Sequence, residues 1–206
     1  MPVLILDGSG PGVRAALVGL GARSADRAGE LAAVAQALLA GHHLAPAALA
    51  AIVGIVGPGS FTGLRAALAL GQGLTAASGR PLVAVATAEA LGAALPGKTL
   101  LAAYATGRAG RFALQHVHAG GGLDPPLPFA AAADLADIPP GAALAGPAAE
   151  AVAALLAAAG RTLPVLGPRQ PPDAAIAAVA ASRLSGRIAP LAPVPIYADD
   201  LFAARR

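Results

Sequence analysis

Residues 56–75 read VGPGSFTGLRAALALGQGLT, a glycine-proline-glycine-serine turn set between an apolar run and an apolar helix. The run before it, AIVGIV at 51–56, has the length of a buried strand. The residues after it predict a helix over 62–77. A strand, a glycine turn and a helix start together aim backbone N–H groups outward, which is how proteins hold phosphate. A phosphate loop of the Walker type would end in Lys followed by Ser or Thr, whereas this turn ends in Gly63, Leu64 and Arg65. The spaced glycines of a dinucleotide fingerprint are not present either. The competing reading is a tight connection in which Ser60 or Thr62 caps the helix and the glycines take positive φ.

Working outward, VLIL (3–6) and VRAALVGL (13–20) predict a hairpin across the turn DGSGPG. Asp26 is a candidate cap for a helix that carries Leu31, Val34, Leu38 and Leu39 on one face and ends at Gly41. PLVAVA (81–86) predicts a strand and 87–95 a helix, so the first half reads ββαβαβα, an α/β lobe with a mixed sheet. In the second half TLLAAYA and RFALQHVHA predict two strands, GGGLDPPLP (120–128) a loop, AAADLAD (131–137) a helix and AALAG a short strand. Helices are expected from Pro147 and over PPDAAIAAVAASRLSG, followed by an extended tail at 192–206. The expected organisation is a lobe over residues 1–96 and a second, smaller α/β lobe over 97–206. No internal repeat is visible.

The chain has 206 residues, enough for a substantial core, and no cysteine. Its 56% hydrophobic content is inflated by alanine, and no segment approaches the roughly 20 unbroken apolar residues of a spanning helix. Asp7 interrupts the N-terminal apolar run too early for a signal peptide, so the expectation is a soluble, cytoplasmic protein with no membrane partner. A net charge of +3 is spread over single arginines, and aromatics are only 3% of the chain. Extensive direct contact with nucleic acid is therefore not expected.

The chemistry-bearing residues are few. His42 and His43 are adjacent and cannot easily aim at one ion, and His116 and His118 share a strand face without a nearby carboxylate in the sequence reading. No metal site and no catalytic residue are assigned. Asp7 sits in the hairpin turn, where it is either an Asx-type cap or a phosphate contact.

GPGSFTGLR (57–65), followed by ALALGQGLTAASGRPLVAVATAEAL, closely resembles the signature region of the TsaB (YeaZ) family. LILDGS stands where that family has an ILAIDTS strand and turn, and PVPIY (193–197) resembles its C-terminal P-x-Y element. The chain departs from the family at Gly8, where a threonine is usual, at Ala67, where a glycine is common, and at YATGRAGR (104–111). The resemblance implies a two-lobed actin-like ATPase (ribonuclease H-like) fold with mixed sheets flanked by helices. It also implies a non-catalytic scaffold or dimerisation subunit that supports TsaD, the subunit making threonylcarbamoyladenosine beside the anticodon of tRNAs that read codons beginning with A. TsaE, an ATPase, joins that pair. ATP and metal are then expected on partner subunits and not on this chain, a homodimer is expected for the chain alone, and tRNA is reached only through the complex. Asp7, Gly57, Gly59, Ser60, Thr62 and Arg65 would be a remnant nucleotide contact.

The expected partner interface follows from helical spacing. Gly63, Ala67, Gly71 and Thr75 recur every four residues as a stripe of small side chains, with Leu70 and Leu74 beside them. Leu31, Val34 and Leu38 on the preceding helix offer a second ridge. Such a stripe fits a close seam with another chain's helix, or it packs on the chain's own sheet. On the first reading Ala67→Arg leaves a folded chain that no longer associates. The alternative functions are an active kinase or metallopeptidase of the same superfamily, or a self-associating structural protein. With 11 acidic residues in all and no pair close to the glycine turn, the sequence offers little for Mg²⁺.

Overall fold

The computed structural model describes residues 1–106, 108–135 and 138–197. The chain divides into two compact units, one comprising Met1–Ala86 with Asp173–Ile196, the other built on Thr87–Pro172. The first boundary falls at 86/87 where the sequence suggested 96/97, and a late helix, Asp173–Leu184, belongs to the first unit.

In the first unit β1 (Val3–Asp7), β2 (Val13–Leu17) and β3 (Gly21–Ala25) form an antiparallel meander, and β4 (Ala51–Gly57) and β5 (Leu82–Ala86) add in parallel. The sheet order is β3-β2-β1-β4-β5. Leu4, Ile5 and Leu6 are all fully buried, so β1 is covered on both faces, which is why its apolar run is continuous and does not alternate. The helices α1 (Leu31–Gly41) and α2 (Phe61–Ser78) enclose Leu4, Leu6, Leu17 and Ile52 on one face. Ile5 points the other way by strand alternation. A 3₁₀ turn at Ala28–Glu30 precedes α1, with Arg27 at its N-cap, so Asp26 is not the cap that the sequence suggested.

Helix α5 (Asp173–Leu184) packs on β5 and β1. It is tied there by two arginines. Arg14 on β2 donates to both carboxylate oxygens of Asp173 at 2.7 and 2.6 Å, and Arg183 donates to the Ala84 carbonyl at 2.6 Å. Past α5, the Ile196 N–H donates to the Val56 carbonyl at 2.7 Å, so residues 193–196 return to the first unit beside the glycine turn.

The second unit repeats the plan. β6 (Leu100–Ala105), β7 (Phe112–Val117) and β8 (Leu127–Phe129) form an antiparallel meander, and β9 (Ala143–Ala145) joins β6 in parallel, in the order β8-β7-β6-β9. With it go α3 (Thr87–Ala94) and α4 (Ala149–Ala158). Leu101, Leu114, Phe129, Leu144, Val152 and Leu156 form its core. A topological repeat is therefore present where no sequence repeat is legible. Ala132–Asp134 forms a 3₁₀ turn in place of the helix expected over 131–137, of which Ala136 and Asp137 lie outside the described residues, as does the tail beyond Tyr197. Among the described residues no helix is long and apolar enough to cross a membrane.

Candidate functional site

The glycine turn holds the chain's own hairpin. Ser60 caps α2, its Oγ accepting from the Gly63 N–H at 3.3 Å, while the Ser60 N–H donates to the Ser9 carbonyl at 3.2 Å. A Cβ built on Gly8 would lie 2.1 Å from the Gly63 carbonyl oxygen, and one on Gly59 would lie 2.5 Å from Ser9 Cα. Backbone packs against backbone here, which only glycines permit. Asp7 completes the turn. Its Oδ1 accepts from the Ser9 N–H at 2.8 Å and the Ser9 hydroxyl at 2.7 Å, an Asx-type cap. Gly57 has φ +102°, and a side chain there would meet the Ile196 carbonyl oxygen at 2.6 Å.

The other residues of the expected nucleotide contact are spread out. Thr62 is exposed, and the Arg65 guanidinium lies 3.9 Å over the Phe61 ring. Asp7 pairs with Arg14 in the β1–β2 register, and both Asp173 and Asp7 act on that arginine. Hydrogen bonding to Asp173 raises the Arg14 pKa above its ordinary value against the opposing effect of burial, with Coulombic help from Asp173 and Asp7. The sequence reading missed this pair, since 159 positions separate its members.

The stripe on α2 is core. Ala67 is 0% exposed and clusters with Leu4, Leu6, Leu38 and Ile52, while Gly63 packs against Gly8 and a Cβ on Gly71 would meet Leu82 at 2.8 Å. Leu31 and Leu38 are buried in the same cluster. These five residues are therefore removed from the expected partner interface: the small side chains bring α2 close to its own sheet. Val34, Leu70 and Leu74 remain half-buried. Leu70 and Leu74 line a cleft of about 400 Å³ with Ala32, Gln36, Ala40 and Leu44, an apolar hollow between α2 and α1. Gly73 stands on the exposed face of α2 with open space where a Cβ would go. Gly73→Ala is expected to stabilise the chain by about 1 kcal/mol, read as a rise in melting temperature of about 2–4 °C.

In the second unit a histidine pair has the carboxylate that the sequence reading denied it. Asp124 Oδ2 lies 2.9 Å from His116 Nδ1 and its Oδ1 2.9 Å from His118 Nε2. The chain reverses between them, the His118 N–H donating to Gly122 and the Gly121 N–H to His118, both at 2.8 Å. Hydrogen bonds from His118 first, then His116, hold the Asp124 carboxyl below the ordinary carboxylate range. His42 and His43, following α1, join no such cluster among the described residues.

Three comparisons bear on this geometry. Residues 24–123 match the family described as TsaD, tRNA N6-adenosine threonylcarbamoyltransferase. The fold is similar to that of YeaZ from Pseudomonas aeruginosa, with a TM-score of 0.69 at 22% identity over 95% of this chain and 100% of that one. It is similar as well to a structure described as an uncharacterized protein with similarity to peptidase YeaZ from Pseudomonas aeruginosa, with a TM-score of 0.68 at 21% identity over 96% and 99%. No curated protein matches the chain. The two mixed sheets flanked by helices are those of the actin-like, ribonuclease H-like fold, and over its length this chain is similar in fold to YeaZ.

Proposed function

We propose that the chain is a non-catalytic subunit that supports a TsaD-like threonylcarbamoyltransferase in the modification of the adenosine beside the tRNA anticodon. The observation that carries this reading is the apolar cleft between α1 and α2, floored by buried core and edged by half-buried Leu70 and Leu74. An apolar hollow flanked by two helices is suited to a helix from a partner, here the TsaD-like subunit or a second copy of the chain. The glycine turn supports the same reading, because its backbone groups bind the hairpin where a nucleotide-using relative would bind phosphate. ATP then belongs to the partner subunits, including a TsaE-like ATPase, and tRNA is met only in the complex. The reaction would take place in the cytoplasm.

The test is sedimentation of the chain with and without a TsaD-like subunit. Leu74→Arg places a charge in the cleft at a position already half in solvent, so the circular dichroism spectrum is expected to persist. Association is expected to weaken about thirtyfold or more, the loss of one buried anchor worth about 2 kcal/mol. Unchanged association would place the partner surface elsewhere, and loss of the wild-type chain's binding to any TsaD-like subunit would overturn the reading itself.

A further inference from the structure

We propose that the end of β7 and the hairpin that follows it bind a divalent zinc-class metal ion through His116 Nδ1, His118 Nε2 and a carboxylate oxygen of Asp124. Strand alternation puts the two imidazoles on one side of the strand, with Val117 between them turned into the core. Their rings stand 4.1 Å apart, centre to centre. The three ligating atoms lie within 4.8 Å of one another, and both histidine nitrogens are 2.9 Å from Asp124 oxygens. A tetrahedral zinc with bonds of about 2.0–2.1 Å needs ligand atoms about 3.3 Å apart, so small side-chain rotations suffice.

The third ligand is held in place from inside the unit. The Asp124 N–H donates to the His116 carbonyl at 3.1 Å, and the Asp124 carbonyl accepts from Gln115 Nε2 at 3.0 Å. Gln115 is itself buried, so the backbone that carries the carboxylate is fixed by a residue that cannot move freely. His116 Nε2 is buried and without a hydrogen-bond partner among the described residues, which leaves Nδ1 as the nitrogen that faces the cluster. His118 and Asp124 are each about half exposed, at 49% and 48%, so an ion can enter and its remaining coordination positions open to solvent.

Two imidazoles and one carboxylate favour zinc and its late first-row neighbours. Ca²⁺ and Mg²⁺ require sets dominated by oxygen, and this cluster supplies one carboxylate. On binding, the ion replaces the His116–Asp124 and His118–Asp124 hydrogen bonds with bonds to the same three side chains. The site lies in the second unit, away from the α1–α2 cleft in sequence and independent of the reading built on that cleft.

Isothermal titration calorimetry with Zn²⁺ on the full chain, without a histidine tag, tests this. One saturable equivalent is expected, and it is expected to weaken at least tenfold in both His118→Ala and Asp124→Asn. The His42→Ala/His43→Ala double variant should bind as the wild type does. Co²⁺ should give visible d–d absorption with the wild type and with the double variant, and lose it in the two single variants. Both single substitutions fall on half-exposed side chains, and circular dichroism checks that each variant is folded. The proposal is overturned if no saturable equivalent binds, if binding survives in both single variants, or if it is lost with His42 and His43.

Discussion

Gly8→Ala is expected to destabilise the first unit by about 3 kcal/mol or more, and to lower the melting temperature of the chain by about 6–12 °C. The new methyl group would sit 2.1 Å from the Gly63 carbonyl oxygen and 2.2 Å from its carbonyl carbon, where ordinary contact begins near 3.4 Å. Neither atom belongs to a side chain that can rotate away. The hairpin turn and the start of α2 must move apart by more than 1 Å. That movement breaks the Ser60 to Ser9 hydrogen bond and loosens the Asp7 cap. Gly63→Ala meets the same obstacle from the other side, at 2.2 Å from the Gly8 carbonyl oxygen. Thermal melts of the two variants against Gly73→Ala check the argument, since all three add one methyl group and only Gly73 has open space. An unchanged melting temperature for Gly8→Ala would mean that the turn is open to a ligand, and would return nucleotide binding to consideration.

Ala67→Arg is expected to unfold the first unit. A stripe of small residues read from sequence alone made this substitution look harmless to folding and harmful to association; packing reverses that expectation. Ala67 is 0% exposed beneath α2, against Leu4, Leu6 and Ile52. An arginine there overfills the core and buries a guanidinium without a partner, a loss of about 5 kcal/mol, comparable with the stability of an entire domain. The expected readings are loss of cooperative melting and of near-native circular dichroism, alongside a folded Leu74→Arg control seven positions along the same helix. A folded, soluble Ala67→Arg chain would show that α2 is not seated on its own sheet.

The elements of this protein were largely legible, and for local reasons. Apolar runs of strand length at 3–6, 51–56 and 82–86, helical spacing from Leu31 and from Leu64, and the glycine-rich turns all report what the chain does over a few residues. Strand β3 was not legible, because GARSA is exposed along almost its whole length and carries no apolar alternation. It exists because β2 offers it a ladder of hydrogen bonds. The place of α5 was hidden for a related reason. Its ion pair with Arg14 spans 159 positions, and nothing in PPDAAIAAVAASRLSG says which sheet it will cover.

By itself the sequence determined the strand and helix types, the position of the signature turn and the resemblance carried by GPGSFTGLR. Tertiary structure alone decided what each surface meets. Periodicity shows that Gly63, Ala67 and Gly71 share a face, but a small face allows close approach to any backbone, and only the sheet beneath it made that backbone the chain's own. The same holds for the histidines. Their alternation was visible at positions 116 and 118, whereas Asp124 reached them only when the chain turned back at Gly121. Local patterns are dictated by steric preferences within a few bonds, and contacts across a turn or between distant segments are fixed by burial of the whole.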